Sequence, residues 1–341
     1  MSVEQILLHV VRDSTESSVS KSTAATAPKS TTAISVSGLW KKRLGDWVIN
    51  CYIGCEHACR HCYCPAMPGV KFKNDHHAQE EWGEYLLPKF GIVEALEKQL
   101  KKFTPDKAKV TDWGNGWVLM SFLTDPYTQS EAKHKLTRQC LQLILEAGHK
   151  VRLQTRSGMV ERDFDIITAH PGQVLLGTSL PYLDDALART LEPRAPSPSR
   201  RVQMLQKARD AGIPTYVAIA PFMPFHGPDT LHEVMAVVKP LVTNEIFCEV
   251  LNPKGSNLEM MYAVLGKYPE EAARMKAFTR DAWALFTWEI LKLGLTFDPR
   301  FIPWPDTQRF WKKHLNAEQA AFLEVYLPPK KPRVKKPRKA F

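Results

Sequence analysis

Residues 151–180 read VRLQTRSGMVERDFDIITAHPGQVLLGTSL. A β-rich run at 151–155 is followed by an amphipathic stretch at 161–170 and then by a second apolar run at 174–180. Strand, helix, strand in that order predicts a βαβ unit with two parallel strands. The alternation continues outward on both sides. Upstream stand the runs 47–53 and 117–123, with helical candidates at 92–102 and 133–147; downstream come 215–220 and 245–251, with helical candidates at 198–211, 229–241 and 270–293. Six strands, each followed by a helix, within about 250 residues predict an α/β fold built as a partial (β/α)6 TIM-type barrel. A doubly wound open sheet would show the same alternation. Both architectures carry their functional loops at the carboxyl ends of the strands.

Just past the first run, residues 50–63 read NCYIGCEHACRHCY, and Cys55, Cys59 and Cys62 fall in a C-x3-C-x2-C spacing. Five of the seven cysteines, Cys51 and Cys64 included, crowd into residues 51–64. Thiols so close in sequence cannot staple distant parts of a large fold, so they point to metal or redox chemistry. Three thiolates on one short loop wrap three corners of a cubane and leave the fourth iron open, which suits a [4Fe-4S] cluster that does chemistry. A zinc site completed by His57, His61, Cys51 or Cys64 stays open as an alternative on ligand softness. Zinc folds normally pair two short Cys/His hooks far apart, however, and a second hook is missing. Cys140 and Cys248 stand alone and read as ordinary buried thiols.

The spacing, its place after the first strand and the element order resemble the radical S-adenosylmethionine (SAM) superfamily. Residues 50–63 are similar to its spore photoproduct lyase-like branch, whose loop reads Gly-Cys-x-x-x-Cys-x-x-Cys-Tyr. The resemblance spans about residues 45–255. It implies that Cys55, Cys59 and Cys62 hold a [4Fe-4S] cluster whose open iron chelates S-adenosyl-L-methionine. Reduction then releases a 5′-deoxyadenosyl radical that takes a hydrogen atom from a substrate. An electron donor such as flavodoxin or ferredoxin is implied with it.

The resemblance also gives expectations for the other strand ends. Thr124 and Asp125 are expected to accept from the methionine ammonium, although Asp125 before Pro126 is equally a turn residue. Arg156 stands where relatives carry a Lys or similar donor to the methionine carboxylate, which a guanidinium could grip as a fork; a solvated loop arginine is the alternative. Ser179 matches a hydroxyl near the ribose or carboxylate. Pro221, in the apolar stretch 218–224, is expected against adenine or else in the core. Tyr63 is the candidate catalytic residue. Spore photoproduct lyases flank the last cluster cysteine with two tyrosines, and here the pair is His61 and Tyr63. They also place a hydrogen-donating cysteine after strand two, where this chain has Phe122 and Leu123. Thymine-dimer reversal would therefore need Cys64, Cys140 or Cys248 turned inward. Glu192-Pro193-Arg194 and Ser199-Arg200-Arg201 also match the branch, without a role that chemistry assigns.

Composition bounds the rest. A chain of 341 residues, 44% hydrophobic and 24% charged, can bury a proper core, which excludes a disulfide miniprotein or a disordered chain. No apolar stretch approaches the ~20 residues needed to cross a bilayer, so a soluble, cytoplasmic protein without membrane contact is expected. Lys and Arg exceed Asp and Glu by 46 to 36, and residues 330–341 alone carry seven basic side chains and no acid. Such a tail is either a phosphate-seeking arm or a solubilising end. Residues 13–37 hold thirteen Ser or Thr and no aromatic. The expected organisation is a disordered leader (1–37), a radical SAM-type domain (38–327) and a basic disordered tail (328–341). The substrate is unidentified, with a nucleic acid or nucleotide among the candidates. The competing function is a non-catalytic nucleic-acid-binding module with a structural metal in the cysteine loop.

Overall fold

The structure, a computed structural model, describes residues 32–67, 70, 82–102, 110–305 and 309–328. The described strands are β1 (Ile34–Val36), β2 (Trp47–Ile49), β3 (Tyr52–Gly54), β4 (Leu86–Pro88), β5 (Trp117–Met120), β6 (Lys150–Gln154), β7 (Val174–Ser179), β8 (Thr215–Phe222), β9 (Ile246–Val250) and β10 (Phe301–Pro303). Eight of them form one sheet in the order β1-β2-β5-β6-β7-β8-β9-β10, while β3 and β4 pair as a separate antiparallel hairpin. Every neighbouring pair from β2 to β10 is parallel, and only β1 runs antiparallel on its edge. The order never doubles back, so the sheet has no switch point of the doubly wound kind. It is a partial barrel, open between β1 and β10.

Alternation along the strands builds two cores. Val118, Val151, Leu153, Val217 and Ile219 belong to the large core that includes the helices, whereas Leu119, Leu175, Tyr216, Ala218 and Phe247 form a small inner cluster with Leu44 and Trp304. Arg152 also points inward and is 2% exposed. Its guanidinium lies over the rings of Tyr216 (4.7 Å), Phe247 (5.6 Å) and Trp117 (5.7 Å) and pairs with Glu245 at 3.4 Å. Stacking and pairing together offset the desolvation that would otherwise forbid a charge there.

The outer layer comprises α1 (Ile92–Leu100), α2 (Leu136–Glu146), α3 (Phe164–Ala169), α4 (Asp185–Leu191), α5 (Pro198–Asp210), α6 (Pro228–Val238), α7 (Asn257–Val264), α8 (Pro269–Lys276), α9 (Arg280–Phe297) and α10 (Ala317–Glu324). The start of α5 follows from its sequence. Pro198 sits in the first turn, where its missing N–H is not needed, and the Ser197 hydroxyl accepts from Arg200 N at 3.3 Å. Among the described residues no helix is long and apolar enough to cross a membrane.

Four expectations need correction. The leader reading fails at its end: Ile34–Val36 is a strand, paired with β2 at Ile34↔Ile49. Its buried Ile34 and the Gln99 side chain explain this, since the Gln99 carboxamide accepts from Ile34 N at 2.9 Å and donates to Ile34 O at 2.7 Å. Residues 1–31 and 329–341, on which the rest of the leader and tail readings fall, lie outside the described residues. The run 47–53 is not one strand. It breaks after Ile49 because Asn50 Oδ1 accepts from Phe122 N and Leu123 N at 3.0 and 2.8 Å, bending the chain into β3. The helix expected at 270–293 is two, with Thr279 capping α9 through Ala282 N. Finally, 161–170 begins as a 3-10 turn, Gly158–Asp163, before α3.

The connection between β1 and β2 crosses the open side of the sheet. Lys42 Nζ bonds both Glu249 carboxylate oxygens at 2.5 Å, and Leu44 packs beside Trp304 in the inner cluster. Residues from the two opposite edges therefore meet through side chains.

Candidate active site

The cysteine loop leaves the β3–β4 hairpin at Gly54, at the carboxyl side of the sheet, and its shape is fixed from several directions. Gly54 has φ +85°, and a Cβ there would lie 2.5 Å from Tyr85 O. Ala58 sits at φ 56°, and a Cβ on Gly83 would come within 2.3 Å of its methyl. Glu56 accepts from Ser130 N and Oγ at 2.8 and 2.7 Å; Arg60 N donates to Leu191 O at 2.7 Å. Gly83→Ala combines this clash with a strained φ of +105°, so a stability loss of about 1–3 kcal/mol is expected. Denaturant unfolding checks it, and a midpoint matching the wild type would show that the loop yields.

Cys55, Cys59 and Cys62 line one cavity of about 310 Å³. Tyr63, Thr124, Asp125, Arg156, Ser179 and Pro221 line it too, so the expected cluster, cofactor-contact and catalytic residues border the same space. Burial pushes the Cys59 thiol up to about 12, with Arg156 opposing, while burial and the charges of Asp125, Cys59 and Cys62 raise Cys55. The hydrogen bond with Cys64 leads the rise of Cys62, ahead of burial. Thiolates here thus need a cationic guest.

The donor set distinguishes between guests. A zinc ion needs its ligands converging at about 2.0–2.3 Å on one point. Among the described residues no group of three or more His, Cys, Asp or Glu side chains is placed to hold a metal ion, whichever guest is considered. A cubane instead takes each thiolate on a different iron and tunes itself through hydrogen bonds to its sulfurs. Fitting donors are present: His61 Nδ1 and the Trp82 indole N–H are buried beside the thiols with no hydrogen-bond partner among the described residues, and both residues line the cavity. His61 Nε2 lies 3.3 Å from Arg156 Nη2. If it accepts from that donor, the ring proton sits on Nδ1. Burial lowers His61 to about 3, so the ring is neutral.

The other expected contacts differ in how free they are. The Asp125 carboxylate accepts from Tyr127 N (2.8 Å) and Thr155 Oγ1 (2.6 Å) on Oδ1 and from Arg156 N (2.8 Å) on Oδ2, which keeps one further acceptor site. Its geometry is that of a turn clamp tying β5 to β6. The Thr124 hydroxyl donates to Gly54 O at 2.6 Å and so braces the cysteine loop. Arg156 is no solvated loop residue: its Nε lies 3.4 Å from Glu192 Oε2. Ser179 Oγ accepts from Gln154 Nε2 at 3.2 Å, and Gln154 Oε1 accepts from Tyr216 Oη at 2.9 Å. That chain of donors leaves the Ser179 O–H free to donate.

Two findings lay beyond the sequence. Glu192, fully buried, bonds Arg201 and accepts from Tyr182 Oη at 2.9 Å, with His61 Nε2 at 3.8 Å and Arg156 at 3.4 Å. The Glu-Pro-Arg match thereby acquires a structural place beneath the cysteine loop, which only its burial reveals. Secondly, the four remaining thiols separate. Cys51, Cys140 and Cys248 are buried in the helix-side core, whereas Cys64 lines the cavity and its Sγ lies 3.6 Å from Phe122 O.

Comparison with known proteins agrees with this geometry. The chain is 31% identical over 246 residues to the uncharacterized protein ORF301 of Acidianus two-tailed virus, covering 70% of this chain and 78% of that one. It is 28% identical over 226 residues to an uncharacterized protein of Methanocaldococcus jannaschii, covering 66% and 77%. A structure of spore photoproduct lyase complexed with dinucleoside spore photoproduct has the same fold, with a TM-score of 0.55 at 13% identity over 81% of this chain and 80% of that one. Residues 49–238 match the family model described as the Radical SAM superfamily, so this chain belongs to that superfamily.

Proposed function

We propose that this chain is an enzyme that binds a [4Fe-4S] cluster through Cys55, Cys59 and Cys62, cleaves S-adenosylmethionine reductively and abstracts a hydrogen atom from a substrate. The observation that carries the reading is the gathering of three thiols, orphaned N–H donors and the polar ends of β5, β6 and β7 around one cavity. When bound, the reduced cluster and S-adenosylmethionine supply a 5′-deoxyadenosyl radical.

The chain's own residues bind, orient and exclude water. Arg156, held by Glu192, presents positive charge to the cavity beside Cys59. Ser179 offers a donor for a ribose or carboxylate oxygen, and Pro221 with Ala220 forms an apolar wall suited to adenine. Thr124 and Asp125 hold the loops in place and keep acceptor capacity toward the cavity for the methionine ammonium. Tyr63 packs against Phe122 with ring centroids 5.8 Å apart, which limits water near the thiols. Burial, then Cys64 and Glu249, keep its phenol protonated. We assign Tyr63 the catalytic role of hydrogen-atom donor: its O–H bond would break as a C–H bond forms on a substrate-derived radical, and the phenoxyl radical left behind would be restored by an electron from a flavodoxin- or ferredoxin-type donor and a proton from solvent.

The dinucleoside ligand of the structural neighbour and the basic residues 330–341 support a nucleic-acid or nucleotide substrate. Reconstituted anaerobically, the protein should be brown and should turn S-adenosylmethionine into 5′-deoxyadenosine with dithionite. Deleting residues 330–341 should leave that cleavage intact while weakening binding to a DNA or RNA strand and flattening its salt dependence. A colourless protein holding one zinc, without cleavage but with salt-dependent binding to a DNA or RNA strand, would instead favour the binding-module reading.

A further inference from the structure

Neither Cys51, in the bend between β2 and β3, nor Cys140, in α2, lines the cavity or has a part in the proposed chemistry. Both are free thiols in the large helix-side core, 1% and 0% exposed. We propose that these two cysteines form a disulfide, a redox-modification site at the root of the hairpin from which the cysteine loop leaves, with a low-molecular-weight disulfide as the oxidant. The pair is independent of whatever the cysteine loop binds.

Placement is the first argument. A disulfide demands two carriers that stand close, with their side chains aimed at one another. The Cys51 and Cys140 thiols are hydrogen-bonded to each other. A second, separate bridge joins the same two segments: the Tyr52 phenol donates to Glu131, whose carboxylate also accepts from Thr137 N at 3.0 Å. Tyr52 is the residue after Cys51, and Thr137 lies one turn before Cys140 on the same side of α2. Cys51 is pinned from a third direction, since its carbonyl accepts from Lys89 N at 3.0 Å. Closing the bond therefore asks for movement of two sulfur atoms rather than of backbone.

Chemistry is the second argument. Each thiol brings into the core a donor that needs a partner, whereas a disulfide has none, so oxidation leaves no polar hydrogen stranded. The bond with Cys51, then burial, then the carboxylates of Glu131 and Glu94 raise Cys140 and keep it protonated. Exchange is consequently slow and runs through local openings, and the same burial shields the finished bond from reductants. In the first step the Cys51 sulfur loses its proton, attacks the small disulfide and expels one thiol. In the second the Cys140 sulfur loses its proton, attacks the mixed disulfide at Cys51 and expels the other. The pair gives up two electrons and two protons, and the small disulfide is reduced to two thiols.

The test is peptide mapping of the full-length reconstituted protein, held anaerobically with oxidised glutathione until its thiol count is constant. The protein is then alkylated with iodoacetamide in urea and digested with trypsin. Peptides 44–60 and 139–150, which carry Cys51 and Cys140, should be recovered linked, with fragmentation placing the bond at Cys51. Untreated protein should yield both as alkylated thiols. The oxidised form should also unfold at a higher urea concentration than the untreated form, because the bond closes a long loop in the unfolded chain. Cys140→Ala, shown to be folded by its own unfolding curve, should lose the linked peptide. Recovery of Cys51 and Cys140 as alkylated thiols after the treatment would overturn the pair, as would a bond from Cys140 to Cys55 or Cys59 in its place.

Discussion

Cys59→Ala is expected to eliminate both bound iron and 5′-deoxyadenosine formation. Cys59 lies at the middle of the loop, 4% exposed, with Cys55 and Cys62 on either side. Two remaining thiolates cannot hold three corners of a cubane. Cys64 also lines the cavity, but it is bonded to Cys62 with its Sγ at the Phe122 carbonyl, on the far side of Cys62 in sequence from Cys59. Losing an outer partner of a metal ligand typically costs 10–100-fold in affinity or activity, and losing the ligand itself should exceed about a hundredfold. Iron analysis and the reductive cleavage assay, run beside the wild type, decide the matter. A variant that retains a full complement of iron and turns over would remove Cys59 from the ligand set, and with it the mechanism.

The second large effect is on stability. In Glu192→Gln, the carboxylate that faces Arg201, Arg156 and His61 becomes neutral. Arg201 is fully buried, with its remaining bonds going to Pro196 O at 2.9 Å and Ser179 O at 3.1 Å. Breaking a buried pair by removing one partner costs about 3–5 kcal/mol because the surviving charge is uncompensated. The urea midpoint should fall accordingly, whereas Glu192→Leu combined with Arg201→Met should recover much of the loss. Burial alone would raise this carboxyl, but Arg201 and then Arg156 outweigh it and hold it below the usual carboxylate range. A depressed folded pKa gives stability that is fully present above the unfolded value of about 4.3 and lost as pH falls through the folded value. The gap between wild type and Glu192→Gln should therefore narrow below about pH 4. A gap under about 1 kcal/mol at neutral pH would show that the pair is dispensable.

What could be read from the sequence was what is written locally. The βα alternation gave the parallel strands in their order, because strand and helix periods are properties of short windows. The three cysteines proposed as ligands were visible because metal spacing is local too. Strand β1 was hidden because its partners, Ile49 and the Gln99 carboxamide, are distant in sequence while its own composition is Ser-rich. Asp125 offered a turn reading whose further partners the sequence did not show, since Thr155 and the Arg156 amide reach it from another strand end. Lys42 and Glu249 lie 207 residues apart, and no local pattern announces a contact of that range.

The crossing from Lys42 to Glu249 bears on the girth of the barrel. Elsewhere around the sheet, backbone ladders fix the spacing between neighbours. At this seam the described residues form no ladder, and the width is set there by the Lys42–Glu249 ion pair, by Lys42 over the Trp304 ring and by the fit of Leu44 against Trp304. Dilating the wall there disturbs few hydrogen bonds, so it yields more readily at the seam than anywhere else along the circumference.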